Sequence, residues 1–183
     1  KVVLVTGGNS GIGLTAAAAI AQAGASVAIW GRRADRNTAA AIALREVSSS
    51  EVVSSVVDVT VPDAVRSGFG TVIDQFGRLD CVFVNAGIGE HSSSFLEIGH
   101  DLRDRIFRTN LFGAWSTIEV SLAHMAQRAE AGDPGGSIVV NGSLAATRGF
   151  SGGEAYGAAK AALGAIVRGV AVGYGEIGVR ANM

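Results

Sequence analysis

Tyr156 and Lys160 stand four positions apart in YGAAK, and that spacing sets two side chains on one face of a helix. An ammonium beside a phenol stabilises the phenolate, which lets a tyrosine exchange a proton with an alcohol or a carbonyl near neutral pH. Many ordinary helices carry such a pair, so its meaning depends on what else the chain brings. Ser143, in NGSLAA, offers a hydroxyl that could steady a substrate oxygen as charge develops on it; alone it reads as turn chemistry. Asn110, in RTNLFG, is an amide inside a long helical pattern, where it competes with the helix for backbone bonds. It marks either a surface position or a kinked helix with an exposed carbonyl and a bound water.

A second chemistry lies in TGGNSGIG, Thr6 to Gly13. Glycines allow positive φ and close approach of a ligand to the backbone, and amides at a helix N-terminus favour phosphate. Gly7, Gly11, Ile12 and Gly13 would supply the turn and the first helical amides, with side-chain donors from Asn9 and Ser10. The glycines do not follow G-x-G-x-x-G, and no Gly-Lys-Ser/Thr follows, which excludes a P-loop. A tight strand-to-helix turn is the alternative.

If the ligand is a dinucleotide, an acidic residue some twenty positions on normally takes the ribose 2′-hydroxyl. That place is Gly31, followed by Arg32 and Arg33. Guanidiniums present a planar fork of donors to phosphate oxygens, so NADP(H) is favoured over NAD(H). The alternative is a solvated basic start to the RRADR helix. Asp58, next to Val59, could accept a hydrogen bond from an adenine amino group or could cap the helix that follows.

These residues need a scaffold. Apolar, β-branched runs predict strands at 2–6, 26–30, 52–57, 81–85 and 137–141 and near Val179. Helical patterns lie between them at about 11–24, 34–47, 61–76, 99–130 and 153–174. Continuously apolar strands alternating with helices predict a doubly wound α/β domain with a parallel sheet. Right-handed crossovers then bring TGGNSGIG, GRR, DVT, Asn85-Ala86-Gly87 and NGS to one sheet edge, where ligands of such sheets bind.

A chain of 183 residues fits one domain, 1–183, and 48% hydrophobic with 17% charged residues describes a folded protein. A net charge of -1 advertises neither nucleic acid nor an anionic membrane as partner. The single cysteine, Cys81, forbids an intrachain disulfide and reads as a buried inert thiol in a reducing, cytoplasmic setting. No signal-peptide pattern opens the chain, and the longest apolar region, Leu14 to Trp30, is too weakly apolar for a membrane span. His91, His100 and His124 lack the spacing of a metal site, and local hydrogen bonding or solvent accounts for them. Trp30 and Trp115 read as packing residues.

Together, TGGNSGIG, Asn85-Ala86-Gly87, Asn110, Ser143 and YGAAK resemble, in order and spacing, the short-chain dehydrogenase/reductase family, whose glycine motif has the form T-G-x-x-x-G-x-G. The resemblance spans almost the whole chain and implies a Rossmann-like fold. It also implies hydride transfer between a nicotinamide and a small-molecule carbonyl or secondary alcohol, without a metal. It implies Tyr156 as acid/base, Lys160 on the nicotinamide ribose, Ser143 on the substrate oxygen, and Asn110 holding a water between Lys160 and solvent. The pyrophosphate would lie over the glycine turn, with Asn85, Ala86 and Gly87 beside the riboses. The helices near 99–130 and 153–174 would pair in a homodimer or homotetramer. The family continues past the equivalent of GVRAN into a substrate lid and a final strand, so this chain is expected to be truncated before them. A nucleotide-binding sensor or assembly protein without turnover is the rival reading; the joint presence of Asn110, Ser143, Tyr156 and Lys160 argues against it.

Overall fold

The computed structural model describes all 183 residues. Six strands, β1 (Val2–Thr6), β2 (Ser26–Gly31), β3 (Val52–Val56), β4 (Cys81–Val84), β5 (Gly136–Val140) and β6 (Val179–Asn182), pair in parallel in the order β3-β2-β1-β4-β5-β6. The chain starts in the middle of the sheet, winds out to β3, returns to β4 beside β1 and winds out the other way. This is the doubly wound Rossmann-like topology, with its switch point between β1 and β4. All five residues of β1 are buried, as a strand covered on both faces requires, whereas the edge strand β6 alternates buried and exposed.

Helices α1 (Gly11–Gln22) and α2 (Ala34–Val47) cover one face, packing Ala17, Ala21, Ala40 and Leu44 against Val3, Val5, Val27 and Ile29. On the other face α3 (Pro62–Phe76), α5 (Gly113–Glu130) and α6 (Glu154–Tyr174) bury Val65, Val72, Ile118, Met125 and Leu163 with Leu4, Trp30, Val82 and Ile138. Each fully buried aliphatic side chain contributes about 1.5–3 kcal/mol. Helix α4 (His100–Phe107) continues into α5 through a five-residue π turn, Arg108–Phe112, in which the Gly113 amide reaches back to the Arg108 carbonyl. The one long helix expected over 99–130 is therefore interrupted, and the interruption holds Asn110.

Several expectations need correction. Trp30 is core, but Trp115 is 54% exposed beside exposed Phe112 on the outer face of α5, because amphipathic spacing alone did not say which stripe meets the sheet. The interruption of Leu14 to Trp30 at Gly24 is as the sequence reads it: this glycine, at φ 87, separates α1 from β2. The stretch long and apolar enough to span a bilayer by length and composition alone is Glu154–Ile177. There Ala155, Leu163 and Val167 face inward and buried Lys160 sits among them. His124, as expected, is locally bonded, its Nε2 accepting from the Leu79 amide at 3.1 Å. Burial, reinforced by Arg128 and Arg78, holds its pKa below the ordinary histidine value. Cys81 is half-buried, and burial pushes its thiol up.

Candidate active site

The end of β1 is stitched to the end of β4. The hydroxyl of Thr6, fully buried, accepts from the Asn85 and Ala86 amides at 2.9 and 3.0 Å, and Asn85 Nδ2 donates to the Thr6 carbonyl at 3.0 Å. These bonds bring the glycine turn and the Asn85-Ala86-Gly87 segment together across the switch point. In the turn, Gly7 and Gly11 have φ of 65 and 51°, and a Cβ on Gly13 would lie 2.2 Å from the Gly7 carbonyl oxygen. Ser10, extended, precedes α1 and makes no side-chain cap bond. The first-turn amides of α1, at Gly11, Ile12 and Gly13, therefore have neither an intrahelical partner nor a side-chain cap, and Ser10 and Ile12 line the adjoining cavity.

Asn110 is 1% exposed, which overturns the surface reading. Its amide forms a reciprocal pair with the Ile88 backbone, Oδ1 accepting from the amide and Nδ2 donating to the carbonyl, both at 2.8 Å. The π turn thus aims a side-chain amide at the irregular segment beyond Gly87, and π turns often occur at functional sites.

On the far side, Ser143 is extended and opens a short 3-10 turn, Leu144–Ala146, its Oγ accepting from the Ala145 amide at 3.1 Å. With that lone pair engaged, the hydroxyl hydrogen is available to donate outward. The turn lies against the first turn of α6, where a Cβ on Gly157 would come within 2.8 Å of the Ala145 carbonyl oxygen. Lys160 is 5% exposed, and its Nζ donates to the Asn141 carbonyl at 2.6 Å and stands 5.9 Å from the centroid of the Tyr156 ring. Burial lowers its pKa below the ordinary lysine value. No carboxylate lies within salt-bridge reach of it.

Two cavities meet along this edge. One, of about 310 Å³, is lined by Asn9, Arg32, Arg33, Arg36, Asp58, Val59 and Thr109 among others. The other, of about 280 Å³, is lined by Ile12, Asn85, Asn141, Tyr156 and Lys160 among others. They share Gly7, Ser10, Ala86, Gly87 and Ile88, so the glycine turn forms the waist of one elongated cleft with arginines at one end and the tyrosine–lysine pair at the other. Asp58 does not cap a helix: its Oδ1 accepts from the Thr60 amide and hydroxyl, and Val61 precedes α3. The residue keeps a second carboxylate oxygen at the cleft.

Sequence reasoning missed Arg36, Asn37 and Asn141. Arg36 lies in the first turn of α2, four positions after Arg32, a spacing legible in RRADR. Asn141 shows only as one member of NGS, yet its Nδ2 donates to Asn85 Oδ1 at 2.9 Å. Together with its carbonyl bond to Lys160, this makes a chain of polar contacts from Lys160 through Asn141 and Asn85 to Thr6. Asn141→Val leaves the Asn85 oxygen without that donor. The expected result is a loss of about 1–3 kcal/mol in denaturant melts and a raised KM for the coenzyme in initial-rate assays. Native stability with an unchanged KM would make the pair incidental.

The family model for short chain dehydrogenases matches residues 1–183. The chain belongs to the short-chain dehydrogenase family. Like the family, it is an oxidoreductase that works with NAD or NADP. L-rhamnose 1-dehydrogenase (NAD(P)(+)) of Sphingomonas sp. (strain SKA58) is 31% identical over 182 residues, which cover 100% of this chain and 70% of that protein. The structure of NAD+-bound xylitol dehydrogenase is similar with a TM-score of 0.93 at 29% identity, covering 100% of this chain and 68% of that one. The alcohol dehydrogenase of the archaeon Thermococcus sibiricus, complexed with 5-hydroxy-NADP, gives a TM-score of 0.89 at 27% identity, covering 98% of this dehydrogenase and 73% of that chain.

Proposed function

We propose that this chain interconverts a ketone or aldehyde and the corresponding alcohol, with Tyr156 as acid/base and NADP(H) as the preferred coenzyme. The observation that carries the reading is the single cleft joining Arg32, Arg33 and Arg36 to Tyr156 and Lys160 through the glycine turn. When bound, the nicotinamide supplies or takes the hydride; the chain's own residues handle the proton and the geometry. The first-turn amides of α1 hold the pyrophosphate. In the reducing direction Ser143 donates a hydrogen bond to the carbonyl oxygen and Tyr156 transfers its proton there as the C–O double bond becomes single. The Lys160 ammonium stabilises the phenolate that remains, and solvent returns the proton, with Asn110 cast as the residue that holds the relaying water. The π-turn amide of Asn110 also fixes Ile88 and thereby the segment beside the riboses.

Charge supports NADP(H). Arg33 stands 4.0 Å from Asp35, while Arg32 and Arg36 have no carboxylate within salt-bridge distance, and all three are exposed at the cleft. Charge-assisted bonds of this kind are worth about 1.5–3 kcal/mol each. Titration of NADPH and NADH should show tighter NADPH binding, and Arg32→Ala should weaken NADPH by about tenfold or more while leaving NADH unchanged. Equal losses for both coenzymes would assign Arg32 to the scaffold. Absorbance at the nicotinamide band with a panel of ketones tests turnover itself. Pairing of α5 and α6 with a second copy, supported by exposed Phe112 and Trp115, and a cytoplasmic location belong to the same proposal.

A further inference from the structure

On α2 the inward stripe runs Asn37, Ala40, Ala41, Leu44, at helical spacing, and all four are buried. The last three pack in the core against β1 and β2. Packing alone calls for an apolar residue at the first position too, and a buried amide there is tolerable only if it is fully bonded. It is. Asn37, 2% exposed, donates through Nδ2 to the Gly31 carbonyl at 3.0 Å and to the Ser55 carbonyl at 2.9 Å, and its Oδ1 accepts from Asn9 Nδ2 at 2.7 Å. Two backbone carbonyls at the ends of β2 and β3 thus pin Asn37, and Asn37 pins Asn9 of the glycine turn. Asn9 is drawn towards α2, which modifies its expected role as a free donor to phosphate.

The pair fills a particular place. A Cβ built on Gly31 would lie 2.1 Å from Asn9 Nδ2 and 2.5 Å from Asn37 Oδ1. Displacing the end of a free asparagine would be easy; displacing one bound to a partner that is itself held by two carbonyls is not. Gly31 is where a carboxylate would have to stand to accept bonds from the ribose hydroxyls of a coenzyme without a 2′-phosphate. We propose that Asn37 and Asn9 form a specificity lock, an amide pair that closes the end of β2 to an acidic side chain and so keeps coenzyme selection with the arginines of the α2 end. Asn37 is a positioning residue in this scheme and acts through Asn9 and the Gly31 backbone. The inference rests on the NADP(H) reading and adds to it that selectivity cannot be reversed at Gly31 alone.

Four proteins test it by calorimetric titration with NADH and NADPH: native, Gly31→Asp, Asn9→Ala, and the double variant. Gly31→Asp alone is expected to weaken NADPH and to gain little for NADH. In the Asn9→Ala background the same aspartate should improve NADH binding about tenfold beyond the sum of the single effects, a coupling typical of residues in contact. Gly31→Asp should also lower Tm more in the native background than beside Asn9→Ala. Asn37→Ala is the parallel partner variant, which removes the oxygen 2.5 Å from the Gly31 Cβ and leaves Asn9 free to move; if it does not fold, Asn9→Ala carries the test because it removes the nearer atom, at 2.1 Å, and the bond that keeps the Asn37 oxygen over Gly31. Additive effects on NADH affinity and Tm, or a Gly31→Asp variant that binds NADH well at native stability, would overturn the lock. A native protein that prefers NADH would instead overturn the NADP(H) reading, through a measurement that needs no variant.

Discussion

Tyr156→Phe lowers kcat for ketone reduction by about 10²–10⁴-fold, the range of a lost general acid, and leaves coenzyme affinity within about twofold. The substitution is clean because the ring has two structural duties that phenylalanine keeps. It packs beside Ile106, Ala155 and Ala159, and it lies 5.9 Å from the Lys160 ammonium. Only the hydroxyl goes, so stability should change by no more than about 0.5 kcal/mol. The measurement is the decay of nicotinamide absorbance under matched coenzyme saturation, with calorimetry for binding. Equal rates in the two proteins would remove Tyr156 from the chemistry, and a parallel loss of coenzyme affinity would recast it as a binding residue.

What could be read in the sequence follows a physical line. TGGNSGIG, Asn110, Ser143 and YGAAK were visible because their chemistry needs particular residue types, and such types at those separations seldom coincide by chance. The parallel, doubly covered sheet was legible because runs such as VVLV, continuously apolar and bounded by turn residues, suit a strand buried on both faces, whereas the order of the strands came only with the structure. Asn37 was hidden for the opposite reason. In ADRNTAAAIAL it looks like one more polar residue near a helix start, and its value depends on the β2–β3 register, Trp30 opposite Ser55 and Gly31 opposite Val56, which brings the Gly31 and Ser55 carbonyls within reach of one amide. Asn141 was hidden because its partners lie 56 residues back and 19 residues on. Thr6, read only as the start of a motif, turns out to join β1 to β4, since a hydroxyl that serves two amides at once requires the switch point to be formed. Asp58 shows the limit of capping rules: its carboxylate was drawn to the hydroxyl of Thr60 two residues on, and the helix began later.

Lys160→Met is expected to separate activity from stability. In the folded chain the ammonium is almost wholly buried, with the Asn141 carbonyl at 2.6 Å and no carboxylate to neutralise it, and burial depresses its pKa below the ordinary 10.5. Between the depressed folded value and 10.5 the unfolded chain holds a proton that the folded chain has released, so stability rises with pH across that window. Below the window the buried charge works against folding. Methionine, of similar length and without charge, removes that penalty. The variant should therefore melt no lower than native at pH 7 and lose the rise in stability above it, while kcat/KM falls by about 10²-fold or more. Native activity should fade on the alkaline side as pH climbs through the depressed value, earlier than an exposed lysine near 10.4 would dictate. Lys160→Arg keeps a cation that stays protonated well above the lysine range, so whatever rate it retains should hold to higher pH. A methionine variant with the native pH slope of stability would show that the slope arises elsewhere. An arginine variant with the native alkaline limb would show that Lys160 titration does not govern turnover, and the positive charge beside Tyr156 would then have no part in moving the proton.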